Sequence, residues 1–197
     1  MNKNLGNKTV LKLVFLITLT ITVGCGAGPY GFSRYYEPND QEQPYFNQTR
    51  DYPYGVVAAN PSDFDGQLIS WFGIIESVQS TQDGRHLVRM THNRHKNRHL
   101  CADERSSSCR VTVHYKSSGG FSVLLALEPA DLVPGLDKIQ PGSLLRVYGR
   151  VRCRTADGGE TKCDYDEQGG IILDGAFYRH WPARYYVTTR RSSSLRR

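Results

Sequence analysis

The sequence predicts an all-β domain, a small five- to six-stranded OB-like barrel, with a β-sandwich as the alternative. Three observations carry this. Short runs rich in Val, Ile, Leu, Tyr and Phe recur along the chain, each bounded by Gly, Pro, Asp or Ser turn signals. Long stretches with helical periodicity are missing. The strand-like runs group as a meander, a connector and a two-stranded return, which is the order of an OB barrel.

The elements follow in chain order. Leu68–Val78 is rich in β-branched and aromatic residues, with Gly73 marking a bulge or sharp bend. Asp83-Gly84 is a hairpin signal leading into a second strand, His86–Met90, which runs into a polar loop. Arg110–Tyr115 alternates as a third strand. Ser117-Ser-Gly-Gly120 then reads as a turn before Phe121–Leu127. Pro129–Pro141 has room for one helical turn at most. Ser143–Val151 makes a strong strand, Asp157-Gly158-Gly159 turns the chain, and Gly170–Tyr178 supplies the last strand.

The N-terminus carries an address. Lys3, Lys8 and Lys12 precede the apolar run Leu13–Val23, the layout of a secretory signal with an h-region of about 7–15 residues. That run is too short to span a membrane, which takes about 20 apolar residues. It ends at Thr22-Val23-Gly24-Cys25. Val23, Gly24 and Cys25 resemble the lipobox of bacterial lipoproteins, in which a small residue precedes a Cys that receives diacylglycerol. Thr22 departs from the leucine usual in that motif. The resemblance implies cleavage after residue 24, lipidation of Cys25 and membrane anchorage. Where Gram-negative lipoproteins carry an Asp for inner-membrane retention, this chain has Gly26, which implies an outer-membrane destination. Ordinary cleavage nearby, leaving Cys25 a free thiol, is the competing reading.

Residues 25–56 read as a flexible Tyr/Pro/Gly-rich tether, since neither helical nor strand period shows there. Its tyrosines are too many for an inert spacer, and the residues leave open whether they pack on the domain or on a partner. The β domain is expected over residues 57–187 and a basic disordered tail over 188–197. The formal charge is +6, and losing Lys3, Lys8 and Lys12 with the signal leaves about +3. The excess concentrates in that tail and in a loop holding Arg85, Arg89, Arg94, Lys96 and Arg98. Such a loop attracts anionic lipid or lipopolysaccharide phosphates, unless it is simply solvated surface. OB barrels also bind single-stranded nucleic acid, but an exported chain rarely meets it.

The motif order Pro61…Phe64-Asp-Gly66, Trp71-Phe-Gly-Ile-Ile75, Leu127…Pro129…Leu132, Pro141-Gly142…Val147-Tyr-Gly-Arg-Val151 and Tyr178…Trp181-Pro182 resembles the Slp-type outer-membrane lipoproteins over roughly residues 57–187. The motifs are short and apolar, so their order and the lipobox carry the likeness. Four cysteines and a His/Arg-rich loop depart from the family pattern. The resemblance implies an envelope location and a β domain without established catalysis.

Setting Cys25 aside leaves Cys101, Cys109, Cys153 and Cys163. Export places them where disulfides form. Short loops favour Cys101–Cys109 and Cys153–Cys163, among three possible connectivities. His92, His95, His99 and Cys101 are alternative ligands for zinc or copper, but their spacing matches no zinc module and Arg94, Lys96 and Arg98 would repel a cation. No nucleophile elbow, zinc-protease or phosphate-loop motif occurs. The expectation is a non-enzymatic envelope module without cofactor, a structural or protein-interaction part of the outer membrane. An OB-like module for an anionic envelope component or a metal is the alternative.

Overall fold

The computed structural model describes residues 32–101, 109–135, 137–155, 159 and 161–189. The expected signal peptide, Cys25 and residues 190–197 lie outside them. The described chain forms β1 (Phe32–Tyr35), α1 (Gln43–Gln48), α2 (Tyr54–Ala59), β2 (Leu68–Ser80), β3 (His86–His95), β4 (Arg98–Cys101) and β5 (Cys109–Leu125). It continues through α3 (Pro129–Leu132), β6 (Leu144–Val151), β7 (Cys153–Thr155), β8 (Thr161–Cys163), β9 (Ile171–Trp181) and β10 (Tyr186–Thr189).

Five strands close a mixed barrel. β2 pairs with β3 and β6, β3 with β5, and β6 with β9, all antiparallel. Closure comes from a parallel pairing of β5 with β9, from Phe121 opposite Ile171 to Leu124 opposite Asp174. This is the OB arrangement, and the closure sets it apart from a sandwich. Strand alternation sends Ile69, Trp71, Val88, Met90, Phe121, Val123, Leu145, Val147, Ile171 and Leu173 into one core. Burying a side chain of this size stabilises by roughly 1.5–3 kcal/mol, so the barrel interior dominates stability.

Gly73 is not the bulge; it stands where β2 passes from pairing with β6 to pairing with β3. The register shift in β2 falls between Ile75 and Ser77. A Cβ at Gly73 would meet Met90 Cβ at 2.8 Å and the Phe121 ring at 3.1 Å, so the glycine lets β2 cross the core closely. The hairpin at Asp83-Gly84 forms as expected, with Gly84 at φ 80° and its N–H donating to Thr81 O.

Three local expectations are corrected. Ser117–Gly120 is not a turn: β5 runs on through it with a shift in its register against β3, and Gly119, at φ 147°, leaves the space that the Tyr54 ring fills. The polar loop after Met90 is instead strand: β3 continues to His95, and β4 is sandwiched between β1 and β5. The tether is packed chain from Phe32 onward, so the domain starts well before residue 57. Val57 of α2 is fully buried in the core, and Trp71 Nε1 donates to Tyr52 O at 3.0 Å. Two six-residue helices are too short to display a helical period, and tyrosines supply the buried area.

Candidate functional site

Alternation along β6 points Leu145 and Val147 inward and Leu144, Arg146 and Tyr148 outward. With Phe72 of β2 and Phe177, Arg179 and Trp181 of β9, they form an aromatic, arginine-bearing outer face. The segment Tyr36–Gln48 lies across it as a strap.

Glu42 fastens the strap. Its side chain is completely buried, and its carboxylate accepts hydrogen bonds from Tyr36 Oη at 2.5 Å, Tyr148 Oη at 2.7 Å and Arg179 Nη1 at 2.9 Å. Arg146 Nη1 stands 3.2 Å away. The Arg146 guanidinium is also enclosed by rings, 4.8 Å from the Tyr36 centroid, 4.9 Å from Tyr148 and 5.0 Å from Phe46. Such cation–π contacts strengthen when desolvated. Tyr45 stacks on Phe177 at 4.9 Å. Burial, and then the Glu42 carboxylate, raise the Tyr36 hydroxyl pKa far above its usual range, so it stays a donor. Chemically the cluster is a carboxylate site whose carboxylate the chain itself supplies.

The histidines separate. His92 is buried beside the core, stacked on Tyr54 at 4.9 Å. His95 lies on the strap side, stacked on Phe72 at 4.2 Å, with the His99 ring 5.7 Å away and edge-on to Tyr36 at 5.2 Å. Burial lowers His92 to about 4. It lowers His95 to about 3, helped by His99 and Arg146, and His99 to about 4, helped by Arg179. The three imidazoles therefore do not converge, and a cation near His95 and His99 would face two guanidiniums. Among the described residues no group of three His, Cys, Asp or Glu is placed to hold a metal.

The expected basic cluster also divides. Arg85 pairs with Asp83 at 2.8 Å and Asp174 at 2.7 Å, and Arg89 pairs with Glu76 at 3.0 Å and with Asp166. Asp166 is in turn held by Ser122 Oγ at 2.6 Å and Gly170 N at 2.8 Å. Arg85 thereby ties the β2–β3 hairpin to β9, and Arg89 ties β3 to the β8–β9 connection. Arg94 stays exposed and Lys96 is half-buried beside it. Arg98 occupies β4 opposite Tyr35.

Cys153 and Cys163 are disulfide-bonded across the β7–β8 hairpin. Cys109 is also disulfide-bonded, and the register sets Cys101 opposite it. Where β9 runs on past its pairing with β5, an open groove of about 370 Å³ forms, lined by Asn39, Gln41, Glu128, Asp131, Tyr178 and His180. Tyr178 Oη bridges it, donating to Asp131 and accepting from Glu128 N at 2.9 Å.

Sequence reasoning missed Glu42, Arg146 and Arg179 and left open what Tyr36 packs on. The available signals were that excess of tyrosines before residue 57 and an arginine, Arg146, within the mostly apolar strand Leu144–Val151. Fold and site together define an OB-like barrel with a strapped outer face. No protein-family model matches the chain, and no curated protein matches it.

Proposed function

We propose that the chain is a lipid-anchored outer-membrane protein whose barrel serves as a non-enzymatic structural or protein-interaction module of the envelope. One observation carries this best: the N-terminal segment is welded to the barrel by the buried Glu42 cluster. A lipid on Cys25 would then fix the barrel itself at the membrane. The lysine-led apolar run ending at Val23-Gly24-Cys25 supports lipidation. Two or more acyl chains make a stable anchor. The motif order shared with Slp-type lipoproteins supports the same placement, and the partners on this reading are other envelope proteins.

Mass spectrometry of the N-terminal peptide from membranes tests the anchor, with a diacylated Cys25 expected and Met1–Gly24 gone. Cys25→Ser should move the protein out of the outer-membrane fraction. An unmodified Cys25, or an unchanged distribution of the variant, overturns the proposal.

A further inference from the structure

Several cations pair with no carboxylate among the described residues, Arg50, Lys138 and Arg150 among them, and three others share one end of the barrel. No ion pair among the described residues involves Arg94, Arg110 or Lys116, and all three are exposed. His95 stands opposite Val113 in the β3–β5 ladder, and both turn towards the strap side. The ladder shifts between Asn93, opposite Ser117, and His95, opposite Val113, so Arg94 and Lys116 both lie at this irregular stretch, with Arg110 three residues before Val113. Lys96 N–H donates to Thr112 O, which sets β3's end against this part of β5. Tyr115 stands exposed between His114 and Lys116. Residues 94–101 and 109–118 contain no acid. Asp103, Glu104 and Arg105, between β4 and β5 in the sequence, lie outside the described residues.

Both described ends of the chain leave from this end. Phe32 is registered against Cys101, next to the Leu100–Arg110 pair. Thr189 is registered against His114, and the residues after it are Arg190 and Arg191. Six residues separate Cys25 from Phe32, a maximal reach of roughly 25 Å at 3.3–3.6 Å per residue. A lipid on Cys25 thus keeps this end, and no long tether, next to the bilayer.

We infer that the β3–β4–β5 end, with Arg94, Arg110 and Lys116 at its centre, docks on the anionic phospholipid headgroups of the membrane that holds the Cys25 lipid. This rests on the anchorage proposed above and adds an orientation to it. Cations within a Debye length of such a surface are held by its potential, and tyrosine rings are at home at headgroup level.

The test uses the lipidated full-length chain reconstituted on vesicles of phosphatidylcholine alone or with phosphatidylglycerol. Lysine acylation is then read residue by residue by mass spectrometry. With phosphatidylglycerol present, Lys116 should react at least about fivefold more slowly, the worth of one engaged cation, while exposed Lys162 of β8 keeps its rate. Raising salt to about 0.5 M, where the Debye length shrinks below 5 Å, should restore Lys116 while the chain still pellets with the vesicles. Arg94→Glu with Arg110→Glu should abolish the protection. Equal labelling of Lys116 on both vesicles, or equal protection of Lys116 and Lys162, overturns the docking surface but leaves the anchor. A chain that fails to pellet with either vesicle overturns both.

Discussion

Two arginine-rich regions of this barrel treat their charge in opposite ways. On the strap side, Arg146 and Arg179 are drawn under Tyr36, Phe46 and Tyr148 and share the buried Glu42. At the β3–β4–β5 end, Arg94, Arg110 and Lys116 are exposed and form no ion pair with a carboxylate among the described residues. The same residue type is a fastener in one place and an unspent surface charge in the other. Burial makes the difference: a desolvated guanidinium must be paired, and removing its partner is expensive, whereas an exposed one is already satisfied by water.

Glu42→Ala should break the comparison most sharply, because it strands two guanidiniums under the strap. A loss of about 3–5 kcal/mol in urea unfolding is expected, and a near-neutral result would mean that the strap contributes little. Replacing Cys153 and Cys163 with Ser opens a loop of sequence separation 10. That should cost about 2–3 kcal/mol in the same assay, ranking local covalent closure below the ion cluster.

The strap side should also be sensitive to acid. His95 is lowered to about 3 in the fold by burial, from 6.5. Between those values the unfolded chain binds one more proton, so this stability is complete above about pH 6.5 and declines as pH falls, by about 1.4 kcal/mol per unit. His95→Gln should flatten the pH dependence of the urea midpoint by that slope, and an unchanged slope would count against burial as the cause. The smallest effect belongs to the other region. Arg94→Ser and Lys116→Ser should each alter unfolding free energy by no more than about 0.5 kcal/mol, and a larger change would show that this end is structural after all.

Part of this organisation was legible in the residues. Asp83-Gly84 announced its hairpin, and the run Ser143–Val151 announced a strand. The nearness of Cys153 to Cys163 across a Gly-rich turn pointed to their bond. By contrast, Ser117–Gly120 looked like a turn because glycine and serine favour one locally. Only the docking of Tyr54 on Gly119 and its hydroxyl on Gly120 O, at 2.8 Å, shows why small residues sit inside a continuous strand. Arg85 and Arg89 read as free cations, yet each pairs with one acid near in sequence, Asp83 or Glu76, and one far along the chain, Asp174 or Asp166, that only the closed barrel brings in.

The sequence by itself determined the all-β class and the order of the main strands, since both are written in short-range pattern, period-two alternation and turn residues. The lipid site on Cys25 is an expectation of the same local kind, a charged start before an apolar run. The tertiary structure alone decided that the segment after Phe32 is strap and not tether. It also decided which cations are consumed and which remain. Glu42 meets Tyr148 and Arg179 only when the barrel closes, and a charge gathered from distant strands leaves no local signature.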